Sequence, residues 1–115
     1  MAKYKDVSEF TVDRNTWDRG RGTSFLLNPN TEKMCCLGFY ARACRLKNKE
    51  IEFHGSPWML YKKWKTFLIN DDWDNSKVCK KLMKVNDDEC MSADRREKQL
   101  KKIFKANGVK VKFKG

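Results

Sequence analysis

The chain is poor in the residues that most often carry catalysis. Its 115 residues include one histidine, His54, and no C-x-x-C pair. A lone histidine leaves few acid–base or metal-ligating arrangements, and a Cys–His nucleophile pair with Cys35, Cys36 or Cys44 has no local signature here. Thiolate zinc sites recruit closely spaced pairs because one turn can then aim two sulfurs at one ion. The five cysteines, Cys35, Cys36, Cys44, Cys79 and Cys90, lack that spacing and are odd in number. They are expected to be reduced and mostly buried, behaving as small hydrophobes. Phosphate-binding Walker loops, G-x-S-x-G and H-E-x-x-H are also missing, and no cofactor or metal is expected. Long apolar runs are lacking too: no stretch approaches the roughly 18 residues a membrane span needs. The opening residues carry lysines with no apolar segment behind them, unlike a secretory signal. A cytoplasmic protein is the expectation.

Acids are the minority charge, 15 Asp and Glu against 26 Lys and Arg, for a formal net charge of +11. Such a balance attracts polyanions or acidic protein surfaces. With 40% hydrophobic residues and four Trp, three Tyr and seven Phe, the chain should nevertheless bury a core. Its length suits one domain, residues 1–115.

The spacing predicts an α+β fold. Residues 7–13 alternate as a strand, with Phe10 and Val12 on one face. Residues 24–27 form a second short strand after the loop Asp18-Arg19-Gly20-Arg21-Gly22, and the two are expected to make an N-terminal β-hairpin. Asn28-Pro29-Asn30-Thr31 is a strong turn signal. Residues 34–46 read as a mostly buried helix through Leu37, Tyr40, Ala41 and Cys44, with Gly38 admitting a neighbouring backbone and Arg42 and Arg45 emerging at the exposed edge. Ser56-Pro57 opens an amphipathic helix with Leu60, Trp64, Phe67 and Leu68 inward and Lys62, Lys65 and Trp58 outward. A short helix over 75–83 follows. Three to four helices thus pack on a small sheet that a C-terminal strand completes. Asn70-Asp71-Asp72 before Ser76 and Asn86-Asp87-Asp88 before Ser92 share one spacing and read as two helix N-terminal caps.

The C-terminal unit carries most of the charge. From 93 to 115 there are nine basic residues and two acids, a formal +7. Helical spacing puts Ala93, Leu100, Ile103 and Phe104 inward and Arg95, Lys98, Lys101, Lys102 and Lys105 outward. After Asn107-Gly108, a left-handed helix end, Val109, Val111 and Phe113 alternate with Lys110, Lys112 and Lys114. This face suits nucleic acid, an acidic protein, or plain solvation.

Other constellations are weaker. Asp72, Asp74 and Ser76 start like a calcium loop, but Lys77 and Met83 stand where glycine and glutamate belong. Asp71, Asp72, Asp87 and Asp88 could serve a small metal-dependent nuclease only if folding brought them together. In Trp17-Asp18-Arg19-Gly20-Arg21-Gly22, glycine amides and two arginines could cradle a phosphate, or the segment is a plain loop.

Three stretches, Trp17-x-Arg19-Gly20-x-Gly22, Lys33-Met34-Cys35-Cys36-Leu37-Gly38-Phe39 and Val85-Asn86-Asp87-Asp88, resemble a family of small uncharacterised proteins of tailed bacteriophages and bacterial genomes. The resemblance supplies no activity and no catalytic residue. It implies a phage accessory protein in the bacterial cytoplasm, of a kind that commonly acts on host nucleic-acid machinery or defence systems. The expected function is non-catalytic binding to nucleic acid or a nucleoprotein machine through Arg19, Arg21, Arg42, Arg45, Trp58, Lys62, Lys65, Arg95, Lys98, Lys101, Lys102 and Lys105, by a monomer or small homo-oligomer. The alternative is an inhibitor or anti-defence protein docking on an acidic host protein.

Overall fold

A computed structural model describes residues 7–22, 24–54 and 77–115. The helix expected after Ser56-Pro57, with Trp58, Lys62, Lys65 and Phe67, lies outside the described residues, as do Asp71, Asp72 and Ser76.

The two alternating segments find each other. Strand β1 (Glu9–Asp13) and strand β2 (Lys110–Lys114) pair in parallel, with Phe10 opposite Val111 and Val12 opposite Phe113. Both strands therefore turn apolar side chains to one face and mostly polar ones to the other. A parallel pair needs a long crossover, and nearly the whole chain supplies it. Between the strands come helices α1 (Cys36–Ala43), α2 (Asn48–Ile51), α3 (Lys77–Asp87) and α4 (Ala93–Ala106). Among the described residues this is an α+β domain of four helices with a sheet completed by the C-terminal strand, the fold class the sequence predicts.

The hairpin is not as predicted. Among the described residues β1 pairs with β2 alone, while Leu27 bridges Glu52 and Asn28 bridges Lys33 across the predicted turn. Leu26 and Leu27 are consecutive and both buried. A strand with one wet face does not bury two neighbours in a row, so the burial of Leu26 and Leu27 beside exposed Phe25 does not fit a strand laid along β1.

Helix α1 is shorter than predicted at both ends, ending at Ala43 with Cys44 as its C-cap, and Arg45 adopts a left-handed φ of 76°. Gly38 does admit a neighbour: a Cβ there would lie 1.8 Å from the Leu26 carbonyl oxygen. Helix α3 runs on through Asn86 and Asp87, so these are its last turn and not a cap for the next helix. Ser92 caps α4 as expected, its hydroxyl oxygen accepting from Arg95 N at 3.3 Å. Gly108, at φ 81°, closes that helix.

Leu37, Tyr40, Leu100, Phe104 and Val111 are buried as predicted, and Phe10 packs edge-on against both Tyr40 and Phe104 at 5.3 and 5.0 Å. Ile103 and Phe113 are only half-buried. Ala93 is exposed, and the inward place one turn before Leu100 belongs to Arg96.

Candidate functional site

Arg96 is the exception on a basic helix. Its guanidinium is buried and donates to the Val85, Asp88 and Met91 carbonyls. Val85 lies in the last turn of α3, where unpaired carbonyls and the helix dipole favour a cation. Burying this charge is thus satisfied by dipoles, and one of the nine cations counted in the C-terminal unit is withdrawn from solvent.

The other cations of α4 stay outside. Arg95, Lys98, Lys101, Lys102 and Lys105 are all exposed. Glu97, one of the helix's few acids, is withdrawn from that face by Arg14, whose Nε and Nη2 donate to its two carboxylate oxygens at 2.7 and 2.8 Å. The guanidinium holds the Glu97 carboxyl below the usual range. On β2, Lys110, Lys112 and Lys114 are exposed on the outer face of the sheet, with Lys112 paired to Glu9 at 2.5 Å. Between α4 and β2 runs a groove of about 830 Å³, with Lys101 and Lys105 on one wall and residues 108–113 on the other. Lys101 Nζ stands 5.7 Å from the Phe113 ring centre.

The arginines predicted elsewhere are placed apart. Arg19 lies over the Trp17 ring at 4.4 Å and donates to the Arg14 and Trp17 carbonyls. Burial first, then the charge of Arg96, holds its guanidinium below its ordinary range. The glycine amides offered to a phosphate are already engaged: Gly20 N and Gly22 N donate to the Asn86 and Asp87 carbonyls, each at 2.8 Å. Arg21 is exposed and reaches Asp18 Oδ1 only at 3.7 Å, an ionic contact too long for a hydrogen bond. Arg42 and Arg45 are exposed at the end of α1, where Arg42 Nη1 donates to the Leu46 carbonyl.

Sequence reasoning missed the structural centre, Asn86. Its side chain is fully buried, and its Oδ1 accepts from Trp17 Nε1 at 2.7 Å and Cys36 N at 3.0 Å. Its Nδ2 has the Asp18 carbonyl, Ser24 Oγ and Asp87 Oδ1 within reach. The three stretches behind the phage-family resemblance, far apart in the chain, thus meet at one amide. Asp87 serves this network through Ser24 as well, and Asp88 Oδ1 accepts from Cys90 N. Among the described residues no group of three or more His, Cys, Asp or Glu could hold a metal, and no helix is long and apolar enough to cross a membrane. Searches against protein-family models, curated proteins and solved structures find no match for this chain.

Proposed function

We propose that the protein acts as a binding protein for nucleic acid, or for a nucleoprotein complex, with the outer face of α4 as its contact surface. One observation carries this reading: five cations share a solvent arc on a single capped helix while Glu97 is neutralised by Arg14. From Arg95 to Lys105 the arc covers about 15 Å of helix axis. That length matches roughly four nucleotides of one strand at about 3.4 Å each, a fit for tracking a phosphate backbone. The motif resemblance adds a setting, a phage-type accessory protein in a bacterial cytoplasm.

The test is titration of labelled single- and double-stranded oligonucleotides at low and physiological salt. Affinity should fall with salt by a log–log slope of about 0.7–0.9 per phosphate neutralised. Replacing Lys98→Glu and Lys102→Glu together should lower that slope by about 2 and weaken all sequences alike, since phosphate contacts carry no base information. Absence of binding at micromolar protein in both salts overturns the reading.

A further inference from the structure

The edge of β2 away from β1 offers a different kind of site. Lys110 N donates to the Ser8 carbonyl and Arg14 N to the Lys114 carbonyl, at 2.8 and 2.7 Å. These bonds assign the main-chain groups of Lys110, Lys112 and Lys114 to β1. Successive residues of a strand turn those groups to opposite sides, so Val111 and Phe113 direct theirs to the other edge. Among the described residues no strand covers that edge. The groove beside α4 has the unbroken run 108–113 as its β2 wall and reaches Ser8 near the start of β1. A sheet face presents alternate residues; a strand edge presents each in turn.

We propose that this groove accepts an extended acidic peptide segment, which adds to β2 as a third strand. Charge selects the occupant. Lys110 flanks the edge on the outer face together with Lys112, whose ammonium is paired to Glu9, and Lys101 and Lys105 stand along the opposite wall. A second copy of β2 would set lysine against lysine, which destabilises a cross-strand pair. An incoming strand places alternate side chains on opposite faces. One set falls on the core side of the sheet, beside half-buried Phe113 and the α4 wall; the other lies beside Lys110 and Lys112. The segment that fits therefore alternates apolar and acidic residues, with main-chain bonds supplying affinity and the alternation supplying selection. The groove shares Lys101 and Lys105 with the outer arc of α4, but Lys98 and Lys102 lie outside it and Lys110 lies off the arc, so variants at these positions let either reading fail alone.

The experiment uses a labelled seven-residue peptide alternating Val and Glu, and two versions N-methylated on opposite alternate sets of amides. Backbone amide shifts of the isotope-labelled full chain and fluorescence anisotropy are recorded together. The parent peptide should bind and move the Val111 and Phe113 amides most. One N-methylated version should lose at least about tenfold in affinity while the other keeps it, because only one set faces the protein. Lys110→Glu, at an exposed position that leaves the core intact, should weaken the parent by about fivefold or more. Absence of peptide binding overturns the proposal. So does equal loss from both methylated versions, or a thymidine oligonucleotide that moves the Val111 and Phe113 amides where the peptide does not.

Discussion

The indole Nε1 of Trp17 donates to Asn86 Oδ1 at 2.7 Å, joining positions 69 residues apart in the chain. That oxygen also receives the Cys36 amide, so the start of α1, the end of α3 and the loop at 17–22 are fixed by one side chain. Small amides at such a junction act through satisfaction: Trp17 and Cys36, which donate to its Oδ1, are both buried, and removing Asn86 leaves both donors without that partner.

Asn86→Ala should therefore destabilise the fold by about 3–5 kcal/mol, since a buried donor left without a partner costs about 1–3 kcal/mol and two are orphaned. Asn86→Asp should not restore the loss. It keeps an acceptor for Trp17 and Cys36 but puts a second carboxylate oxygen against the Asp18 carbonyl and Asp87 Oδ1. Urea unfolding of the two variants measures this, and a loss under about 1 kcal/mol for the alanine would show that water reaches the site.

Gly38→Ala tests the tightest surroundings of any glycine among the described residues. The added Cβ would meet the Leu26 carbonyl oxygen at 1.8 Å, and this is backbone, not a side chain that can swing away. A loss of about 3 kcal/mol, the upper range for overpacking, is expected in the same assay. Gly108→Ala is the control for a different reason: nothing lies within 4 Å, so its smaller cost would come from the left-handed φ of 81° alone.

These two residues also mark what was legible in the chain. Gly38 could be read because a glycine inside an apolar helical stripe implies a near neighbour, and α4 with β2 could be read because their periodicities are clean. Asn86 could not: three acids and amides in a row look the same whether they cap the next helix or end the previous one. The parallel β1–β2 pair was hidden as well, because alternation says which face is buried but not which partner lies alongside. The spacing places Arg96 on neither face, and a basic helix gives no sign that one of its cations will be met by the carbonyls of another helix's end.

Thiol reactivity follows burial. Cys35, Cys36, Cys44 and Cys79 are buried and Cys90 is exposed. Burial pushes the Cys35 thiol up to about 12 and the Cys36 thiol well above its ordinary value, leaving little thiolate near pH 8. Alkylation of the native protein without reductant should label Cys90 first and the other four only on unfolding, for five modified cysteines by mass. Rapid native labelling at Cys35 or Cys36 would contradict the packing around α1.

Phe104 should be the most sensitive apolar position on α4. It is fully buried between Phe10 and Tyr40, with ring centres at 5.0 and 5.9 Å. Phe104→Ala should cost about 3–5 kcal/mol in chemical denaturation. Ile103→Ala, at a half-buried neighbour, should cost clearly less, and equal losses would mean that the helix presents a different face to the sheet.

The Arg14–Glu97 pair predicts a specific acid response. Arg14, through its hydrogen bonds and then its charge, holds the Glu97 carboxyl below its ordinary value. A depressed carboxyl contributes stability that is fully present above its unfolded value, about 4.3, and is lost as pH falls through the folded value. Glu97→Gln should thus be less stable than the parent at neutral pH by a constant amount, and the two should converge as pH drops below about 4. Glu9 is lowered in the same direction by Lys112 but is common to both proteins, so it cancels in the difference. Added salt should shrink the gap at neutral pH without moving the point of convergence upward, because the pair is only partly buried and therefore screened. A gap that widened in acid would mean that Glu97 is protonated more readily in the folded chain than in the unfolded one, the reverse of what its two hydrogen bonds to Arg14 require.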